Sequence, residues 1–335
     1  MRILLLLALV APSISLSQAP RIGVIDFYGV RRVSESRLRE ALGVKEGDAL
    51  PPSKVDVEER LEQVPGVVRA RLEAICCDQG RAILFVGIEE RGAPSFLFRD
   101  PPAGDASLPE PIVRAYREYL VAIERAMRSG PVTENISQGH VLSNDAAARQ
   151  IEERFVSLAA GHLDALRRAL RESADPEQRA VAACVIGYAP DKRKVIDDLQ
   201  YAMRDFDEGV RGEAIRSLGA IAALGDRKPD SGIRVEPTWF IQMLNSIVRS
   251  DRARAASALV ALTEQRRPYV LDQIRHTAME SLAEMARWRP LEHALPAYLV
   301  LGRAAGIPEQ EIQTAWTSDT REDLIERALK AGLKK

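Results

Sequence analysis

At 335 residues, with 46% hydrophobic and 28% charged side chains, the chain has ordinary globular composition and room for two cores, which excludes a disordered or collagen-like protein. Its 47 Lys and Arg offset 48 Asp and Glu, so no overall field draws it to nucleic acid or anionic lipid. Aromatic residues at 5% argue against a membrane β-barrel and against a stacking platform for single-stranded nucleic acid.

The first segment joins Arg2 to an apolar run from Ile3 to Ala11 and then to the small residues Ser15 and Ser17. This is the layout of a secretory signal peptide over residues 1–17, cleaved before Gln18. The run is much shorter than the roughly 18 apolar residues that span a bilayer, and no later stretch reaches that length. A periplasmic or secreted mature chain without a membrane-spanning segment is expected. Three cysteines, Cys76, Cys77 and Cys184, define no closed disulfide framework. Cys184 sits at an apolar helix position and reads as core. Cys76 and Cys77 allow a vicinal disulfide or metal binding, but no Cys or His cluster nearby completes a zinc site.

Ile22, Val24, Ile25 and Phe27 form a β-rich run that ends at Tyr28 and Gly29. A helix follows, with Ser34 placed to cap it and Val33, Leu38 and Leu42 on one side, closed by Gly43 and Gly47. After Pro51 and Pro52, Val55, Val57, Leu61 and Val64 recur at helical spacing as far as Pro65 and Gly66, a second helix. From Val67 to Cys76 the pattern alternates. Val68, Ala70, Leu72 and Ala74 fall on a buried face, and Arg69, Arg71 and Glu73 on a face expected to meet water and discourage aggregation. The turn Asp78, Gln79, Gly80 leads into Ala82 to Ile88, so the two strands form a hairpin. Residues 21–91 thus make a small α+β domain in the order β-α-α-β-β.

In that order and spacing, Ile22 to Gly29, Gly47-Asp48 with Leu50, Gly66-Val67 and Val86 to Glu90 resemble a POTRA domain, the periplasmic module of outer-membrane assembly and division proteins. The resemblance implies a domain that binds other chains, often by strand addition at the sheet edge, where unpaired N–H and C=O groups recruit an extended peptide. Here one copy is followed by helices instead of further copies and a barrel, which counts against an insertase.

Residues 92–111 contain Pro94, Pro101, Pro102, Gly104, Pro109 and Pro111, a composition hostile to helix and central strand. They read as a domain linker crossed by few contacts, open to protease between Gly92 and Pro109. Residues 112–144 comprise a helix, apolar through Val113, Tyr116, Leu120 and Ile123, and a polar connection. The sequon Asn135-Ile136-Ser137 in that connection is read as a chance match.

Beyond Asp145 the chain repeats itself. Asp175 to Arg179, followed by Ala182, Ala183 and Gly187, lines up with Asp207 to Arg211, followed by Ala214, Ile215 and Gly219, and a third copy is read at Ser250 to Arg254. Small residues such as Ala182, Ala214 and Ser257 allow helices to approach closely. Partner helices are expected over 191–204, 238–249 and 268–288, a leading pair over 145–171, and a divergent C-terminal helical cap over 291–335. Asp207, Val210, Arg211 and Ala214 resemble the opening of bacterial HEAT repeats, and the resemblance covers residues 145–290. It implies an all-α HEAT-like solenoid in which Asp175, Arg179, Asp207 and Arg211 form a stabilising ladder between repeats.

No local signature of catalysis is found. Of His140, His162, His276 and His293, only His276 shares a helix face with an acid, Glu280, and two ligands do not make a metal site. HExxH, GxSxG, GxxxxGK[ST] and strand-borne GxGxxG motifs are absent. No catalytic, cofactor-binding or metal residue is therefore assigned, and Glu152-Glu153 and Asp197-Asp198 are taken to solvate polar helix faces. The sequence points to a noncatalytic protein-binding adaptor of the bacterial cell envelope, working through the repeat groove and the sheet edge, with no nucleic-acid partner. An enzyme with a site assembled in the array, resembling the HEAT-like bilin lyases, and an accessory factor of outer-membrane assembly are the alternatives. Mass spectrometry of the native protein should find Gln18 at its N-terminus, whereas a cytoplasmic form retaining Met1 would remove the envelope reading.

Overall fold

β-branched and aromatic residues make Ile22–Tyr28 a strand, β1, and the chain then runs through α1 (Glu35–Leu42), α2 (Lys54–Glu62), β2 (Val67–Asp78) and β3 (Arg81–Glu90). The structure is a computed structural model and describes residues 20–78, 80–318 and 320–332, so the expected signal peptide and its cleavage site lie outside it. The sheet order is β1-β3-β2, with β3 central, parallel to β1 and antiparallel to β2. One sheet face carries α1 and α2 over a core that includes Ile25, Leu38, Leu61, Leu84 and Val86.

The other face was expected to be wet, and it is not. Tyr28, Ile83 and Phe85 belong to the core of the helical array. Arg71 pairs with Glu208 at 2.9 Å and Glu73 with Arg249 at 2.8 Å, leaving only Arg69 in a surface pair with Glu89. The near-continuous apolar run of β3 is what a strand covered on both faces requires. Gly87 makes the docking feasible, because a Cβ there would lie 2.5 Å from the Tyr28 ring.

Residues 92–109 are also held more closely than their prolines suggest. Phe96 and Leu108 are buried, the Arg99 amide donates to Arg204 O at 2.6 Å, the Ala174 amide to Gly104 O at 2.7 Å, and the Leu108 amide to Gln178 Oε1 at 2.8 Å. Proline forbids ladder hydrogen bonds but favours an extended chain, and this one lies as a strap across the turns of the array. The expectation of few crossing contacts therefore does not hold.

The helices are α3 (Glu110–Ser129), then, after a short hairpin of β4 (Glu134–Asn135) and β5 (Leu142–Ser143), α4 (Ala146–Gly161), α5 (Leu163–Glu172), α6 (Pro176–Ile186), α7 (Ile196–Ala202), α8 (Glu208–Arg227), α9 (Thr238–Met243), α10 (Arg249–Leu262), α11 (Pro268–Thr277), α12 (Met279–Ala286), α13 (Leu291–Ala304), α14 (Glu309–Thr317) and α15 (Arg321–Gly332). α6, α8, α10 and α13 stack in succession as one layer, and α5, α7, α9 and α11 pair with them from the other. Several expected boundaries shift. The helix expected over 268–288 breaks at Ala278, where His276 and Thr277 turn back onto the carbonyls of Asp272 and Gln273 and compete with the helical ladder. The helix expected over 238–249 stops at Met243, and Arg249 begins the next one. Leu120, expected on the buried face of α3, is exposed, and Tyr119 takes that place.

A single local device opens α4, α6, α8 and α10. The side chain of Ser143, Ser173, Asp205 or Ser246 accepts the amide two residues on, and an arginine in the first helical turns, Arg149, Arg179, Arg211 or Arg252, donates back to that same residue's carbonyl. The repeat thus has an earlier copy at Ser143, and the third arginine is Arg252, not the Arg254 that the sequence alignment placed there. The ladder acids are also different from those expected. Asp175 and Asp207 cap helices by accepting the amides of Glu177 and Val210. The rungs are Arg179 to Asp205 and Arg211 to Asp251, all four side chains at most 2% exposed. Replacing Asp251 by Ala strands a buried guanidinium and should cost about 3–5 kcal/mol, against about 1 kcal/mol for Asp175→Ala, which removes a cap; urea midpoints of the two variants give the comparison.

Candidate functional site: the groove over α8 and α10

The sheet edges, expected to bind, are occupied from within the chain. The amides of Ala70 and Leu72 on β2 donate to Glu62 Oε1 at 3.0 Å and Glu58 Oε1 at 2.6 Å from α2. On β1, the Ile25 amide donates to Glu46 Oε1 at 3.2 Å, and the Ile25 carbonyl accepts from Arg289 of the array at 2.7 Å. Strand addition at these positions would have to displace charged hydrogen bonds, so the expected edge site is corrected to a protected edge.

The inner face of the array is open instead. α3 lies across its beginning, against α4 and α6, and ends its reach where Tyr116 Oη donates to Glu213 Oε1 at 3.0 Å. Beyond that contact, α8 and α10 form the floor of a cavity of about 530 Å³, with the β4-β5 hairpin as its wall. The floor is made of small residues, among them Gly212, Gly219, Ala253, Ser257 and Ala261, which bring a visitor close to the helix backbones. Helical glycine costs up to about 1 kcal/mol relative to alanine, so the glycines of α8 were the sequence signal for this surface, and periodicity reading alone passed over it.

Glu134, Glu213, Arg216 and Arg254 bring charge to the groove, and the two arginines are in different states. Arg216 bridges Glu134 of the hairpin at 2.9 Å and Glu152 of α4 at 3.2 Å. Glu152 is fully buried; burial raises its carboxyl pKa, opposed by the Ser143 amide and Arg216. It does not solvate a polar face as expected, and neither does Asp198, which is buried between Arg167 and Arg171. Arg254, by contrast, is exposed and makes no ion pair among the described residues. It lies over Gly212, where a Cβ would come within 2.6 Å of its Nη1.

Behind the hairpin, His140 Nδ1 faces Lys192 Nζ at 3.3 Å, and Lys192 donates to Gly187 O at 2.7 Å. The lysine is the donor, so His140 is neutral with its proton on Nε2. Burial first, and then the charge of Lys192, push the imidazole pKa down to about 4, and burial pulls that of Lys192 down to about 8. Tyr188 Oη donates to Val141 O at 2.8 Å and Arg227 Nη2 to Ile136 O at 2.9 Å, so the hairpin is anchored on both sides of this pair.

The remaining residues singled out in the sequence are not brought together. His276 and Glu280 stand on either side of the break at Ala278, and Glu280 pairs with Arg31 at 3.4 Å. Cys76 is disulfide-bonded, and Cys184 is a free, buried thiol whose pKa burial raises. Among the described residues no group of three His, Cys, Asp or Glu could hold a metal, and no helix is long and apolar enough to cross a membrane.

The HEAT-repeat family model matches residues 163–235, which run from α5 through α8. Among solved structures, the chain is similar to an engineered protein, with 19% identity over 56% of this chain and 90% of that one, at a TM-score of 0.38. Two designed armadillo repeat proteins are similar at 14% identity, each over 58% of this chain and 97% of theirs, with TM-scores of 0.37 and 0.36; the second is described as designed for modular peptide recognition. No curated protein matches the chain. The family-model match over residues 163–235 supports the helical-repeat part of the sequence reading.

His140 gives this region a pH signature. Its folded pKa of about 4 lies below the ordinary 6.5, so between these values the unfolded chain binds more protons and stability falls as pH falls. The wild-type protein should lose up to about 3 kcal/mol more than His140→Phe between pH 6.5 and 4, read from urea midpoints across that window.

Proposed function

We propose that the chain is a noncatalytic protein-binding scaffold of the bacterial cell envelope that holds its partner in the groove over α8 and α10. The observation that carries this reading is the open cavity of about 530 Å³ on the inner face of the stacked repeats, floored by small residues and bearing the unpaired Arg254. Stacked helix pairs offer one extended concave surface, and α3 already uses the first part of it for a helix of this chain. The envelope assignment rests on the signal-like residues 1–17 and on the POTRA resemblance of residues 21–91. With the sheet edges blocked at Ala70, Leu72 and Ile25, the small domain serves as a unit docked against the starts of α8 and α10 and against α12, and the groove supplies the affinity.

A photocrosslinking residue at Ser257 in cells tests both halves of the proposal, since the crosslinked partner and its compartment are identified together. Ser257→Trp fills the groove and Arg254→Glu reverses its unpaired charge, and both sites are exposed, so folding should change by less than about 0.5 kcal/mol. Each should weaken partner capture by at least about tenfold, as loss of a central contact does. Capture that is unchanged in both variants would overturn the groove assignment.

A further inference from the structure

The strap touches the array as a bound peptide does, through a few side chains and a few main-chain amides and carbonyls, while most of it faces solvent. Arg99 carries the densest set of contacts. Its guanidinium lies 3.5 Å from the centroid of the Tyr201 ring, Nη2 reaches Asp205 Oδ2 at 3.1 Å, and Nη1 donates to Tyr201 O at 2.9 Å. Its amide donates to Arg204 O. Beside it, Phe98 packs against Phe96 at 5.4 Å and Phe206 at 6.5 Å between ring centroids, and the Arg211 guanidinium sits 4.4 Å from its ring. Two adjacent strap residues thus read two adjacent rungs of the ladder, Asp205 and Arg211.

We propose that the turn joining α7 to α8 is a peptide-binding site with a preformed arginine pocket, occupied in this chain by its own residues 96–99 and open to a partner peptide of the pattern Phe-x-Phe-Arg. The pocket is built by the array and stands without its occupant. Asp205 is held through both oxygens by Arg179, at 2.9 Å each, and accepts the Asp207 amide. The Tyr201 ring also packs against Arg171, which is fixed by Asp198 at 2.7 Å. Removing Arg99 therefore leaves no unpaired buried charge, unlike removal of a rung. The occupant is anchored by the buried Phe96 and is shallow beyond it. Leu97 is 71% exposed between the two phenylalanines, and Phe206 of the site is 66% exposed beside them. Arginine on an aromatic face above a buried carboxylate is the geometry expected of a binding hot spot, and it is specific, since lysine lacks the planar fork that meets ring, carboxylate and carbonyl together.

The strap is tethered at both ends, so its effective concentration at the site is on the order of millimolar and a free peptide competes poorly until the strap is weakened. The test uses the full chain and a fluorescein-labelled peptide with the sequence of residues 95–101, followed by anisotropy. Phe98→Ser with Arg99→Ser empties the arginine pocket and the ring position beside it and weakens the strap, and this variant should bind the peptide at least about tenfold more tightly than wild type, with binding lost when the peptide's arginine is replaced by alanine. Phe98→Ala alone is the milder variant if the double one does not fold. In the wild-type chain, peptide raised to the strap's own effective concentration, on the order of millimolar, should also accelerate hydrogen exchange at the Arg99 amide. A folded variant that binds the peptide no better than wild type, binding that ignores the peptide's arginine, or an Arg99 amide insensitive to peptide would each show the strap to be an ordinary connection and overturn the proposal.

Discussion

The buried arginine–carboxylate ladder organises this molecule. Arg179 and Arg211 are almost fully removed from water, and each places Nε and Nη2 on the carboxylate of the next repeat and Nη1 on two carbonyls of its own turn. An ion pair desolvated to that degree is tolerated only when every donor is satisfied, because the cost of burying the charges is recovered through geometry and not through Coulomb attraction alone. The consequence is directional. Each rung fixes the position of one repeat's turn relative to the next, and the stacking of α6, α8 and α10 inherits its register from this row of contacts.

The small domain enters the molecule as the end of the same row. Arg252, in the register of Arg179 and Arg211, pairs with Glu284 at 3.0 Å, and Glu284 also accepts the Gly29 amide at 2.9 Å and pairs with Arg31 at 2.6 Å. Tyr28 lies beneath Arg252, donates to Ile247 O at 2.8 Å, and meets Trp288, which Phe85 also touches. An α+β domain that buries one sheet face against its own helices must cover the other, and here the array covers it. This explains why Tyr28, Ile83 and Phe85 join the core of the array while the domain keeps a second core beneath α1 and α2, and why the connecting segment lies flat along the turns in place of looping free.

That arrangement leaves the inner face of α8 and α10 open, and the groove proposed for a partner there can be entered without displacing buried charge. The sheet edges, the other natural sites of recognition, are already satisfied by Glu58, Glu62 and Glu46. The hairpin wall of the groove is anchored by contacts of contrasting stability. Arg216 ties it through opposite charges, whereas His140 meets Lys192 as a neutral acceptor that turns repulsive once protonated.

Local pattern was enough to determine the elements of the first domain and the helix openings at Asp175 and Asp207, though not the ends of the helices expected over 238–249 and 268–288. The order β-α-α-β-β is written in period-two and period-three-to-four spacing with glycine and proline at its joints, and the Asp-to-Arg helix openings declare a repeat because each is a self-contained cap and turn. What periodicity cannot carry is which surface meets which. Arg71 and Glu73 look like a solvated strand face, Glu152 and Asp198 like a solvated helix face, and residues 92–109 like a loose linker, because the groups that neutralise or cover them, Glu208, Arg249, Arg216, Arg167 and the turns of the array, are remote in sequence. The ladder acids were missed for a related reason. Asp205 precedes the capping aspartate by one turn residue and Asp251 lies inside the next helix, so only the stacked structure shows that these carboxylates, and not the caps, receive the arginines. Burial of a charge is decided by its partner, and the partner is chosen by the tertiary fold.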